Sequence, residues 1–163
     1  KYTVAYSELP KPTEWIFRTG IAYPREVRID GSGVGAVRYC EFTTGTFVEP
    51  IEEWDEPRML AFRFTQSPPP MKEWSMYRDV EPKHLHGYFV AERGRFILTE
   101  LPNHHTRLEG ITWYRHGLWP AQYWRLWSDA IVHRVHLRVM RQIAARAEAD
   151  ARSTSQTPSK LTK

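Results

Sequence analysis

The sequence predicts an α+β fold in which a curved antiparallel sheet wraps around one long C-terminal helix. Extended, turn-punctuated segments run from about Arg25 to His116, and a long helical pattern then opens at Trp119 and Pro120. A sheet and a helix each have one apolar face to bury, so strands closed by a single helix must pack against that helix. Such an arrangement usually leaves a cavity between them.

Length and composition predict one globular domain. The 163 residues are 41% apolar and 26% charged, which is ordinary for a folded domain. We place this domain at residues 1–149 and a disordered polar tail at residues 150–163. Aromatic residues make up 13%, with seven Trp. This content exceeds the needs of a small core and suits a protein that lines a pocket with flat apolar surfaces.

Charge gives no strong indication of a partner. The formal net charge is +4, and the surplus is small and scattered, so nucleic acid is a disfavoured partner. Five arginines recur along the last helix, where a solvated outer face is the simpler interpretation: Arg125, Arg134, Arg138, Arg141 and Arg146.

The redox and targeting signals are few. Cys40 is the single cysteine, which excludes an internal disulfide and is compatible with a reducing compartment. No stretch approaches the roughly 18 apolar residues of a membrane span, and no signal peptide is visible. We therefore expect a soluble, cytoplasmic protein. Lys1 is not an initiator Met, so we also expect a missing upstream region, in which any targeting signal or anchor would lie.

The N-terminal segment predicts two short helices. Tyr2–Leu9 carries a short helical pattern that ends at Pro10. Thr13 can then cap a second helix from Glu14 to about Thr19, which Gly20 would stop.

Alternation of apolar and polar residues between turn signals predicts six strands. The first hairpin turn is marked by Asp30-Gly31-Ser32-Gly33. Arg93-Gly94 indicates a bulge or bend in the fifth strand. The predicted strands are Glu26–Asp30, Ala36–Phe42, Phe47–Trp54, Met59–Thr65, Gly87–Leu101 and Thr106–His116.

The segment Gln66–Leu85 is loop-like yet rich in prolines and large apolar groups. Long loops that carry their own aromatic residues usually cover a functional site or an apolar surface. It is a candidate lid over a cavity mouth, and simple packing on the sheet edge explains the same residues.

The last element is a helix from about Ala121 to Ala149. Apolar residues recur at spacings of three and four and form one continuous stripe, which we expect to face the sheet. The stripe consists of Trp124, Trp127, Ile131, Val135, Val139 and Ile143.

Four segments and the closing helix resemble the START-like superfamily, specifically its bacterial polyketide cyclase/dehydrase (SRPBCC) branch. The segments are Gly33–Tyr39, Phe47–Ile51, Trp54–Phe62 and Thr106–Gly110. The resemblance covers roughly Tyr2 to Glu148. It implies a helix-grip fold with two short helices near its start and a hollow that binds hydrophobic ligands.

The chain departs from this family at its start. Family members begin with a strand before the first short helix, and the sequence predicts none here. The resemblance therefore implies a sheet of six strands where the family has seven. This difference is consistent with truncation and predicts an exposed sheet edge.

Nine residues are candidate ligand contacts. Strand alternation places Leu108, Gly110, Thr112 and Tyr114 on one face of the last strand, and Gly110 favours that face as the inner one. Aromatic residues would shape the cavity, namely Tyr39, Phe62, Phe64, Tyr88, Tyr114 and Trp127. Arg38, Glu49 or His116 would orient a polar end of the ligand.

Each polar candidate also has a structural interpretation. Arg38 and Glu49, on neighbouring predicted strands, suit a cross-strand ion pair. Asp129, His133 and His136 share a helix face, but they lack a hydrolytic zinc pattern and a clear third ligand on the strands. A pair between Asp129 and His133 explains that spacing more simply. We expect neither a metal nor an obligatory cofactor.

Three functions remain open. The leading one is binding of a hydrophobic small molecule, such as a lipid, polyketide or aromatic metabolite. The second is an enzyme, a polyketide cyclase or dehydratase that uses a carboxylate or His as acid and base. The third is an interaction module attached to an upstream region, with the basic helix face meeting a partner or an anionic membrane. The fold alone does not choose among them.

Overall fold

A computed structural model describes residue 5, residues 8–73 and residues 87–155 of the chain. These residues form a curled antiparallel sheet of six strands, a half-barrel, and one long C-terminal helix. The strands are β1 Pro24–Asp30, β2 Val37–Phe42, β3 Gly45–Asp55, β4 Met59–Arg63, β5 Phe89–Leu101 and β6 His105–His116, and the helix is α1 Ala121–Ser155.

The strands lie in the sheet in chain order, so each pairs with its sequence neighbours. All pairs are antiparallel, and short turns join most of them, whereas a long segment separates β4 from β5. The α+β architecture predicted from the sequence, with strands first and one helix last, is therefore present in the described residues. Each predicted strand is found, and no predicted end differs from the observed one by more than two residues.

The helix joins the apolar core through its C-terminal half. Val139 and Ile143 are buried in a cluster with Leu9, Val27 and Cys40. Phe62 belongs instead to a second cluster in the middle of the sheet, which contains no helix residue. The N-terminal half of α1 therefore faces the sheet without joining either core cluster.

The segment before β1 joins the sheet to the helix. The amide of Leu9 donates a hydrogen bond of 2.6 Å to the carbonyl of Arg25, and Arg138 of α1 donates to the carbonyl of Pro10. Arg138 is thus held against the N-terminal segment, and the prediction of a wholly solvated outer face is wrong at this residue.

The two predicted N-terminal helices have different outcomes. The Tyr2–Leu9 helix lies mostly outside the described residues, and Glu8 and Leu9 are not helical. The second prediction corresponds to a short 3-10 helix, Trp15–Thr19, followed by Gly20 in the left-handed region at φ 93°. Its N-cap is Glu14, without a side-chain capping bond, so the capping role predicted for Thr13 is wrong.

The C-terminal helix continues past its predicted end at Ala149 to Ser155. Alanines such as Ala149 and Ala151 have the highest helix propensity and extend a helix readily. Residues 156–163 of the predicted polar tail lie outside the described residues. Within the described part of the chain, no helix is long and apolar enough to cross a membrane.

Gly94 allows β4 and β5 to approach at the centre of the sheet. It pairs with Phe62 across the two strands, and any Cβ at this position would overlap the Phe62 ring. The bulge or bend predicted at Arg93 and Gly94 is observed slightly earlier in the chain, as a register shift between Ala91 and Arg93. The glycine at position 94 therefore permits a close contact with Phe62, in addition to marking the nearby irregularity in β5.

We expect Gly94→Ala to lower the free energy of unfolding by about 1–3 kcal/mol, because the added methyl group displaces a buried ring. Urea denaturation of both proteins measures the change. Gly110→Ala is the matched control, since a methyl group there would lie 3.4 Å from Phe96, an ordinary contact. An equal effect of the two substitutions would contradict this account.

Candidate functional site

A cavity of about 280 Å³ lies between the N-terminal half of α1 and the concave face of the sheet. It occupies the gap that the half-packed helix leaves. Its walls are mostly apolar side chains from the helix, from the sheet and from the segment after β4. A concave, apolar site with a few polar groups is the usual form of a small-molecule pocket.

The helix wall uses the stripe that the sequence predicts. Trp124, Trp127, Ile131 and Val135 line the cavity, and their spacing of three and four places them on one helix face. Trp124 and Trp127 remain 37% and 45% exposed. These two rings therefore lie where the cavity meets solvent.

The sheet wall is a row of aromatic rings in edge contact. Phe42 and Phe47 have centroids 4.8 Å apart, and Phe47 lies 5.2 Å from Phe64. Phe62 follows at 5.5 Å from Phe64, and Phe96 also lines the cavity. Edge-to-face contacts stabilise such rings beyond their burial, which gives the cavity a firm apolar wall.

A proline-rich segment forms the rim opposite the helix. Residues 68–71 line the cavity, and Thr44 donates a hydrogen bond of 2.7 Å to the carbonyl of Pro69. The amide of Ala22 bonds the carbonyl of Pro70 at 2.9 Å. This part of the predicted lid is therefore held against the sheet, and the remainder of the lid, residues 74–85, lies outside the described residues.

A buried ion pair occupies the sheet wall of the cavity. Arg38 on β2 lies directly opposite Glu49 on β3, and its guanidinium donates to the Glu49 carboxylate. The two residues are 2% and 3% exposed. The cross-strand ion pair predicted for them is present, and the pair also lines the cavity.

Two aromatic rings hold the Arg38 guanidinium. Its Cζ lies 5.0 Å from the centroid of Phe62 and 5.4 Å from that of Phe96. A guanidinium over ring faces is stabilised by the ring quadrupole, most of all away from water. Arg38 is thus fixed by contacts in addition to its pair with Glu49.

Burial dominates the titration of Glu49. Loss of solvent raises its pKa from 4.5 to about 7, although the charge and hydrogen bond of Arg38 act in the opposite direction. A carboxyl group with a pKa near neutrality exchanges a proton under ordinary conditions. The sheet wall therefore carries both a permanent cation and a group that changes charge near pH 7.

The helix wall contributes a second polar group. His136 Nε2 lies 2.8 Å from the hydroxyl oxygen of Thr112 on β6. Burial, with a smaller effect of His133, lowers the pKa of His136, so the imidazole is neutral near pH 7. Ser128, which is also buried and faces the cavity, adds a hydroxyl group.

Tyr114 lies outside the cavity lining and forms a hydrogen bond to the helix. Its hydroxyl donates a hydrogen bond of 2.5 Å to Asp129, and its ring stacks on Phe89 at 4.8 Å. Burial and the Asp129 carboxylate raise the pKa of Tyr114 to about 12. Asp129 also lies 3.8 Å from Arg125, so its partners differ from the predicted His133.

The metal hypothesis gains no support from the described residues. Among them, no group of three or more His, Cys, Asp or Glu side chains could hold a metal ion.

The structure brings five of the nine predicted site residues to the cavity wall. They come from β2, β3, β4, the segment after β4 and α1, and they are Arg38, Glu49, Phe62, Phe64 and Trp127.

The other four lie elsewhere. Tyr39 points to the outer face, where Arg28 covers its ring at 4.3 Å, because neighbours in a strand point to opposite faces and Arg38 points inward. Tyr88 is 41% exposed. Tyr114 and His116 share the inner face of β6 with Thr112 but stand outside the lining, and His116 Nδ1 is buried without a hydrogen-bond partner among the described residues.

Sequence reasoning missed Thr112 and His136 as cavity residues. Thr112 lies two positions before Tyr114, on the face that Gly110 marked as inner, so strand alternation could have identified it. His136 follows Val132 by four residues and lies beside the apolar stripe. The sequence pattern groups His136 only with Asp129 and His133 and does not indicate a cavity role for it.

Comparisons of the chain with protein-family models, with curated proteins and with solved structures give no match.

We expect the Glu49 carboxyl to make stability depend on pH. Its pKa is higher in the folded protein than the value of 4.5 for an exposed carboxyl, so its contribution to folding is complete below about pH 4.5 and is lost as pH rises through about 7. The loss is about 3 kcal/mol. Urea denaturation from about pH 4.5 to about pH 8 should show wild type losing this much more stability than Glu49→Gln. Parallel curves for the two proteins would contradict the raised pKa.

Proposed function

We propose that this chain is a helix-grip domain of the START-like superfamily, in its polyketide cyclase/dehydrase branch, and that it binds a hydrophobic small molecule. One observation carries the proposal, the apolar cavity beneath the N-terminal half of α1, which joins neither core cluster. The curled sheet and the single closing helix are compatible with the helix-grip arrangement. The segments that resemble the family include Arg38, Glu49 and Phe62, which line the cavity.

The cavity volume limits the ligand. Pockets for drug-sized molecules occupy about 300–1,000 Å³, and 280 Å³ lies just below that range. A compact ligand suits this space, such as a molecule of one to three fused rings or a medium-length acyl chain. Aromatic walls favour flat or flexible apolar surfaces, while Arg38 and Glu49 provide one place for a polar end.

The first test is native mass spectrometry of the purified protein, followed by solvent extraction of any bound molecule. The neutral fluorescent probe 1-aminoanthracene is titrated in parallel. A hydrophobic species bound one to one, or saturable probe binding, supports the proposal. An empty protein that also fails to bind the probe overturns it and favours an interaction module.

Trp127→Ala should weaken 1-aminoanthracene binding by about five- to thirtyfold. Loss of roughly 40–80 Å² of ring contact with the probe corresponds to about 1–2 kcal/mol, at about 25 cal/mol per Å². Fluorescence titration measures the two dissociation constants.

The matched control is Trp15→Ala, because Trp15 is 67% exposed and lies outside the cavity lining. It should leave the dissociation constant unchanged. Equal losses in both variants would show that the probe binds elsewhere on the protein.

A second candidate function is catalysis by a cyclase or dehydratase of polyketide-like substrates. The observation that favours it is Glu49, whose pKa of about 7 suits a general acid or base at neutral pH. Turnover that disappears in Glu49→Gln while 1-aminoanthracene still binds would establish catalysis. Binding without turnover of polyketide-like substrates by wild type would leave the carrier function alone.

A further inference from the structure

The charges within the cavity restrict the chemistry of its ligand. Among the described residues that line it, the titratable groups are Arg38 on β2, Cys40 on the same strand, Glu49 on β3 and His136 on α1. His136 is neutral near pH 7 because burial lowers its pKa. The charge inside the cavity is therefore set by the arginine and the glutamate.

Arg38 keeps its charge and its place whatever the state of Glu49. A guanidinium does not lose its proton in proteins, and the rings of Phe62 and Phe96 lie within 5.0 and 5.4 Å of its Cζ. The cavity wall is thus neutral when Glu49 is ionised and carries one positive charge when Glu49 is protonated.

We propose that the cavity takes an apolar molecule that ends in a carboxylate, which Arg38 binds while Glu49 takes up a proton. This inference rests on the proposed function and names its ligand class. A guanidinium presents its N–H groups in a fork that matches a carboxylate, and such bonds are stronger than neutral ones. Protonated Glu49 has an O–H that can donate to the same carboxylate.

The proton balance favours one negative charge on the ligand. With Glu49 protonated, one buried cation faces one buried anion, and no charge is left without a partner. A dianionic phosphate would leave a surplus charge away from water, which is costly. A neutral alcohol or ketone would leave the Arg38 and Glu49 pair as it is, and its binding would not depend on protonation.

Burial brings the protonation of Glu49 into the accessible pH range, since it raises the pKa to about 7. Below that pH the proton is already bound, so carboxylate affinity should be constant. Above it each ligand must bring a proton with it, so affinity should fall about tenfold per pH unit. A ligand carboxyl with an ordinary pKa of about 4 stays ionised throughout.

The test compares decanoate with 1-decanol, which share one chain and differ in their polar end. Titration calorimetry at intervals from about pH 6.5 to about pH 9 gives both affinities, and buffers of different ionisation enthalpy report proton uptake. We expect decanoate to bind at least tenfold more tightly than decanol near pH 6.5, to lose about tenfold per pH unit above pH 7 and to take up a proton. Decanol affinity should not change with pH.

Glu49→Gln tests the proton acceptor, because glutamine resembles the protonated side chain. Decanoate affinity in this variant should be independent of pH, and near pH 8 it should exceed that of wild type by about tenfold. The control is Glu53→Gln on the same strand, where Glu53 lies on the exposed face 3.7 Å from Arg95. It should retain the wild-type pH profile.

The outcomes separate the two proposals. If decanol and 1-aminoanthracene bind but decanoate binds no better, the cavity function stands and the carboxylate inference is wrong. A pH dependence that persists in Glu49→Gln also overturns it and points to Cys40 or another group. If no apolar probe binds wild type at any pH, both proposals fail. The wild-type comparison remains decisive if the variant does not fold.

Discussion

The packing of only one half of α1 into the apolar core is the constraint on which the rest of the structure depends. Val139 and Ile143 pack into a core with Leu9 and Val27, so the C-terminal half of α1 is fixed against the start of the sheet. Protein interiors are otherwise packed as densely as organic crystals. A gap of about 280 Å³ nevertheless lies between the N-terminal half of α1 and the row of sheet rings, which contact one another.

The buried ion pair has a different energetic status from the apolar walls around it. Removing two charges from water costs about as much as their attraction returns, and well-packed apolar residues often replace such a pair without loss of stability. Arg38 and Glu49 are therefore weak candidates for a purely stabilising role. Their position in the cavity wall, with Arg38 against the Phe62 and Phe96 rings, suits the ligand-binding role that we propose for them.

Local patterns in the sequence predicted the elements and part of the cavity. Alternation and turn residues located the strands, and spacings of three and four located the helix stripe with Trp127, because both patterns follow from backbone geometry. Arg38 and Glu49 were recognised as cross-strand neighbours for the same reason. Local signals alone do not give the inner face of each strand, and this is why Tyr39 was placed in the cavity although Arg38 beside it points inward.

What remained beyond prediction depends on tertiary packing. Tyr88 and His116 lie at the open end of the β5–β6 hairpin, just before the helix, and they stand outside the cavity lining. Strand alternation predicts the face on which a residue lies but not its distance from the cavity. The raised pKa of Glu49 also depends on tertiary packing, because burial is its largest cause. The strand pattern predicts that Glu49 lies opposite Arg38, but only the packing of the folded sheet buries both side chains.

If the cavity binds the ligand that we propose, its open mouth and its buried ion pair would make apolar filling and polar recognition cooperative. Trp124 and Trp127 remain partly exposed where the cavity meets solvent, whereas Arg38 and Glu49 are almost fully buried. An apolar ligand body at the mouth would exclude water from the cavity, and electrostatic attraction strengthens as the local dielectric constant falls. A polar group without that body leaves water in place and gains little from Arg38. On the proposed function, selectivity in this cavity would therefore require both the apolar body and the carboxylate of the ligand at once.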